Sequence, residues 1–221
     1  MSRDSSKSLL RGSNLVSFFP ELSPLSRADI LDALLWAQLN ASERYNPEKQ
    51  WEQWIERYTS VLIDCGFKAG SSLAKEPVKV SNESGFRREA AKLVKSIKPP
   101  GLADVAEAAL DNMFNSSHAR LFFDSWFSFN AGRSDSFQIV PCEKGGFGQV
   151  KIAACGLQMV TRIKVKPPNG WFPVWPVTYE MTLTLRGGGF VYDVYEYAAH
   201  RERIREALRV KGSEAIEAIE L

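Results

Sequence analysis

The chain has 221 residues, 44% hydrophobic and 24% charged, with a formal net charge of +2 at pH 7. Such values suit one globular domain with a real core, and no global field demands nucleic acid or an anionic membrane. No apolar run approaches the ~20 residues of a membrane helix, and Arg11, Gly12 and Asn14 interrupt the first apolar stretch. Cytoplasmic synthesis without a cleaved signal is the expectation, and it is compatible with non-classical export.

Residues 1–20 are expected to be a flexible or partly ordered segment. A first helix follows, with Ser26 as its N-cap, Asp29 three positions on, and Ile30, Leu31, Leu34, Leu35 and Leu39 on a wide apolar face. For a second helix, Asn46 is the expected N-cap, Pro47 its first residue and Gly66 its C-cap. Trp51, Trp54, Ile55, Tyr58, Leu62 and Cys65 repeat along it at helical spacing, as a core stripe does. Small and polar residues over 69–85 read as a loop with at most one short strand.

A third helix near 86–97 buries Phe86, Ala90, Leu93, Val94 and Ile97. Its other side carries a basic surface of Arg87, Arg88, Lys92 and Lys95, continued by Lys98. That surface could meet phosphate or an acidic partner. Nucleic acid ranks below other partners, because no aromatic residues interleave for base stacking. The "KPPG" at 98–101 breaks the chain before a fourth helix lined by Leu102, Val105, Ala106, Ala109, Leu110 and Met113. Six large apolar residues crowd Leu121 to Phe129, which reads as a buried helix ending near Gly132, with a strand as the competing reading.

The second half reads as antiparallel strands over 136–142, 147–154, 157–166, 177–186 and 190–197. Turns are expected at Gly145–Gly148, Ala153–Gly156 and Gly187–Gly189, and a last helix over 198–211 ends at Gly212. The predicted class is α+β. A helical half of about five helices (21–132) joins a C-terminal antiparallel meander of about five strands with a terminal helix (133–221), in one compact domain.

Gly145, Phe147, Gly148 and Val150, followed by Ile163-Lys164, resemble the glycine-rich loop and lysine strand of protein kinases, and His200-Arg201-Glu202 resembles the catalytic-loop His-Arg-Asp. The departures outweigh the match. Glu143 stands at the first glycine position, Glu202 and Ala207 replace the base and the metal-binding asparagine, and no Asp-Phe-Gly occurs. The stretch therefore reads as a hairpin turn, and no catalytic residue is assigned. Cys65, Cys142 and Cys155 lack Cys-x-x-Cys spacing and the only histidines are His118 and His200, so neither a metal site nor a cofactor is expected.

The segment most suited to a function is "KPPNGWFPVWPV". It places Trp171, Phe172, Val174 and Trp175 among Pro167, Pro168, Pro173 and Pro176. Proline makes it a poor interior strand, so it either folds back onto the core or displays its aromatic residues. Displayed, it fits a non-enzymatic interaction protein that docks on a protein partner. The alternative is a membrane-active or toxin-like protein whose tryptophans touch lipid. A third reading is nucleic-acid binding through the basic helix at 86–98.

Overall fold

The computed structural model describes residues 7–11, 13–81, 83–116, 134–165, 177–211 and 219–220. The elements are β1 (Lys7–Arg11), β2 (Asn14–Phe18), α1 (Pro24–Arg44), α2 (Trp51–Asp64), β3 (Lys68–Ala74), β4 (Val78–Val80), α3 (Glu83–Val94), α4 (Pro100–Asn115), β5 (Ser134–Lys144), β6 (Gln149–Val165), β7 (Val177–Asp193), α5 (Val194–Val210) and β8 (Ile219–Glu220). The strands form one sheet in the order β3-β7-β6-β5-β2-β1-β8, with β4 alongside β3 on the outer side of β7. All neighbours are antiparallel except β2 and β5, which are parallel.

Both faces of this sheet are apolar, so helices must cover both. Ala153, Cys155, Leu157 and Met159 of β6 enter a core with α3 and α4. Val150, Ile152 and Ala154 of the same strand enter a second core with α1, α2 and α5. The period-two alternation that usually separates core from solvent here separates one core from the other.

The α+β class stands, but its arrangement differs from the expected one. Strands are spread through the chain, with β3 and β4 lying in the half read as helical and β1 and β2 inside the segment read as flexible or partly ordered. Residues 68–74 form a strand despite their small, mostly exposed side chains, because they pair with β7 from Lys68↔Val191 to Ala74↔Arg186. Tertiary pairing overrides a weak local preference there.

The expected turns at Ala153–Gly156 and Gly187–Gly189 do not exist. Both stretches lie within continuous 17-residue strands, paired without interruption from Gln149↔Asp193 to Val165↔Val177. The glycines are there for close approach. A Cβ on Gly187, whose φ is +153°, would sit 2.1 Å from the carbonyl oxygen of Ala154. One on Gly156 would meet Ile55 Cδ1 at 2.9 Å. The third expected turn is real: Lys144 pairs with Val150, and Phe147 at φ +50° projects fully exposed from the loop between.

Helix starts also moved. Ser23 caps α1, its Oγ accepting from the Ser26 N–H at 3.1 Å, with Pro24 next. Asn46 instead closes a turn before α2, its Oδ1 accepting from the backbone N–H of Glu48 and Lys49. Gly66 does end α2 as expected, at φ +89°, with the Phe67 N–H reaching back to the Leu62 carbonyl. The last helix begins earlier than expected, at Val194, because the Asp193 carboxylate caps it through the backbone N–H of Tyr195 and Glu196. The aromatic run read as a helix over 117–132 lies outside the described residues.

Candidate interaction surface

The β6–β7 hairpin outruns its neighbours. The last described β5 partner of β6 is Ser134, opposite Val160, and the last β4 partner of β7 is Val80, opposite Met181. Four further pairs continue beyond both, from Arg162↔Glu180 to Val165↔Val177. At about 3.3 Å per residue they extend the hairpin by roughly 13 Å. Among the described residues this two-stranded part has no third strand beside it. Trp171, Phe172, Val174 and Trp175 lie outside the described residues, in the connection between Val165 and Val177.

Arg87, Arg88 and Lys92 lie on α3, and Lys95 and Lys98 in the turn after it, with much of their charge taken up locally. Glu89 Oε1 binds Lys92 Nζ and Arg88 Nε, each at 2.9 Å, and those cations hold its carboxyl below the usual range. Lys95 pairs with Glu107 at 2.9 Å, and Arg87 lies 4.7 Å from the centre of the Phe114 ring. Lys98 is exposed. Partnered surface cations present a weaker field to a polyanion than the sequence count implies.

A buried charge cluster went unseen in the sequence. Asp29, fully buried, accepts from Arg201 Nε at 2.8 Å, Arg201 Nη2 at 2.7 Å and the Tyr192 hydroxyl at 2.7 Å. It joins α1, β7 and α5. Burial, then the bond to Asp29, pushes the Tyr192 phenol up, and the same carboxylate raises Arg201. The Arg201 of the kinase-like triplet is thus structural. Its sequence signal was an aspartate beside Ile30 on an apolar helix face, and an arginine-rich last helix to match it.

No protein-family model matches the chain. The search of curated proteins finds no match either. Among solved structures, the activated Cyt2Ba monomer from Bacillus thuringiensis subsp. israelensis is similar at 12% identity and a TM-score of 0.44, over 81% of this chain and 97% of that one. A delta-endotoxin structure is similar at 13% identity and a TM-score of 0.39, over 83% of this chain and 84% of that one. Likeness at this distance assigns no family and no activity.

The three cysteines are free and buried, Cys142 and Cys155 completely. Burial pushes the Cys65 and Cys155 thiols up to about 12, and Cys142 moves in the same direction. A thiolate nucleophile needs the opposite shift. Native protein at pH 8 is therefore expected to leave an aromatic disulfide reagent unreacted while the urea-unfolded chain titrates all three thiols. Fast reaction of one thiol in the native state would contradict this burial. Among the described residues no group of three or more His, Cys, Asp or Glu side chains is placed to hold a metal ion.

Proposed function

We propose that this is a membrane-active, toxin-like protein, folded before it meets lipid, that docks Trp171, Phe172, Val174 and Trp175 at a bilayer interface. The observation that carries the reading is the β6–β7 hairpin, which runs past its neighbours to the two ends of that segment. A flat bilayer needs no shaped pocket, only an apolar tip on an arm long enough to reach it. Tryptophan prefers the headgroup level. The four prolines of 167–176 carry no backbone N–H, which lowers the cost of placing the connection where water is scarce. Arg162, Lys164 and Lys166 precede it, and each cation near an anionic surface adds about 1 kcal/mol. Among the described residues no helix is long and apolar enough to cross a membrane, and interfacial docking needs none.

Co-sedimentation with phosphatidylcholine vesicles, with and without phosphatidylserine, tests this. The wild-type chain is expected to pellet with vesicles, more strongly when they are anionic, and Trp171→Ala/Trp175→Ala to lose about tenfold in partitioning. If both proteins stay in the supernatant at every composition, the membrane reading is wrong. If both pellet equally, the tryptophan segment is not the contact.

A further inference from the structure

Phe147 stands at the tip of the β5–β6 turn, fully exposed, with a left-handed φ of +50°. A bulky side chain is strained in that region, and glycine is its ordinary occupant. Both neighbours, Gly146 and Gly148, are glycine already. A Cβ on Gly146 would meet nothing within 4 Å, so the turn stands clear of the body. The phenyl ring therefore weakens the turn through strain and returns nothing by packing. A strained residue that serves no packing points to a role outside the fold.

A second ring flanks the same turn. Tyr195, near the start of α5, is 79% exposed. The Val194 N–H reaches the Gly148 carbonyl at 3.4 Å, and a Cβ on Gly148 would lie 3.6 Å from Tyr195 Cε2. Lys144 and Lys151 lie on either side of Phe147 in the chain, both exposed and neither paired among the described residues. The nearby acids are occupied. Asp193 caps α5, Glu196 binds Lys68, and Glu143, opposite Lys151, turns its carboxylate towards Gly101 of α4.

These features favour lipid over a protein partner. Two aromatic side chains bury about 150–250 Å² each, less in sum than the ~800 Å² that each side of a stable protein interface gives up. A bilayer asks for no such area and no matching shape. Aromatic rings settle at the headgroup level, and free lysines beside them meet the phosphates. The location is new as well. β6 begins two residues after Phe147 and ends at Val165, where the connection to the tryptophans starts. Its 17 residues hold the two ends roughly 50 Å apart.

We propose that Phe147 and Tyr195 form a second lipid contact, inserting at a bilayer interface from the end of the sheet opposite the tryptophan segment. The proposal rests on the membrane reading for its class of surface, and on none of the residues of that reading.

Vesicles of phosphatidylcholine and phosphatidylserine in equal parts test it in two ways. The first is co-sedimentation of Phe147→Gly and Tyr195→Ser. Phe147→Gly should melt at or above the wild type, because glycine relieves the strain, and yet each variant should lose about tenfold in partitioning. The second places a nitrobenzoxadiazole label on Phe147→Cys or, as control, on Gln53→Cys, an exposed position of α2. The three native thiols are buried, so labelling is selective. Vesicles should shift the emission to the blue at 147 and leave it unchanged at 53. The proposal is overturned, with the membrane reading intact, if wild type pellets while the label at 147 does not respond and both variants pellet like the wild type. If Trp171→Ala/Trp175→Ala pellets as the wild type does and Phe147→Gly does not, this contact stands and the tryptophan one falls. If no form pellets, both fall.

Discussion

Gly187→Ala is expected to lower the melting temperature by about 10–15 °C. The added methyl would lie 2.1 Å from the Ala154 carbonyl oxygen and 2.7 Å from Cys155 Cα. Both are backbone atoms of the neighbouring strand, so no rotamer change relieves the clash. The φ of +153° adds strain of its own, since that region belongs almost entirely to glycine. Strain of about 1–3 kcal/mol and overpacking of similar size sum to roughly 4 kcal/mol. For a chain this long each kcal/mol moves the midpoint by about 2–4 °C. Gly146→Ala is the control. Nothing lies within 4 Å of its added Cβ, and the change should stay within about 0.5 kcal/mol. Thermal unfolding followed by circular dichroism measures both. If Gly187→Ala melts with the wild type, β6 and β7 do not pass each other as closely as described.

Asp29→Ala should cost about 3–5 kcal/mol in urea unfolding, because it takes the shared acceptor from a mostly buried guanidinium and a buried phenol. The Arg201 side chain is only 18% exposed and the Tyr192 residue is fully buried. Asp29→Asn keeps the shape and an accepting oxygen, and should cost less. The triple change Asp29→Leu, Arg201→Met, Tyr192→Phe is expected to recover most of the loss, since desolvation offsets most of what a buried ion pair returns. A loss below about 1 kcal/mol for Asp29→Ala would show that α5 is held elsewhere. Loss of this cluster should also make the chain more sensitive to proteolysis within α5, which meets α1 through it.

Legibility in the sequence followed polarity. The Trp54 and Tyr58 stripe of α2 was readable because that helix has one apolar side and one wet one. Gly66 was readable because a left-handed C-cap has a local signature. Gly187–Gly189 misled for the same reason in reverse: three glycines in a row carry the signature of a turn, and only the nearness of Ala154 and Ser71 explains them as strand residues. The strands β2 to β4 are short and lean on distant partners. Ser13 hydrogen-bonds both Gln38 and Gln138 across up to 125 positions, so no motif could announce that contact. One clue was present, a glutamine set among Phe137, Ile139 and Val140 in an otherwise apolar run.

A strand that is apolar on both sides faces a problem that a half-wet strand does not. Slipping it by one residue exchanges the two core sets and exposes nothing greasy, so solvent cannot penalise the error. In this sheet shape must do so. A one-step shift of β6 would bring Cys155 or Leu157 to the place where Gly156 lets Ile55 and Trp51 come close. A shift of β7 that brings Arg186 to the place of Gly187 would set its Cβ against the Ala154 carbonyl. The mid-strand glycines therefore work as registration marks.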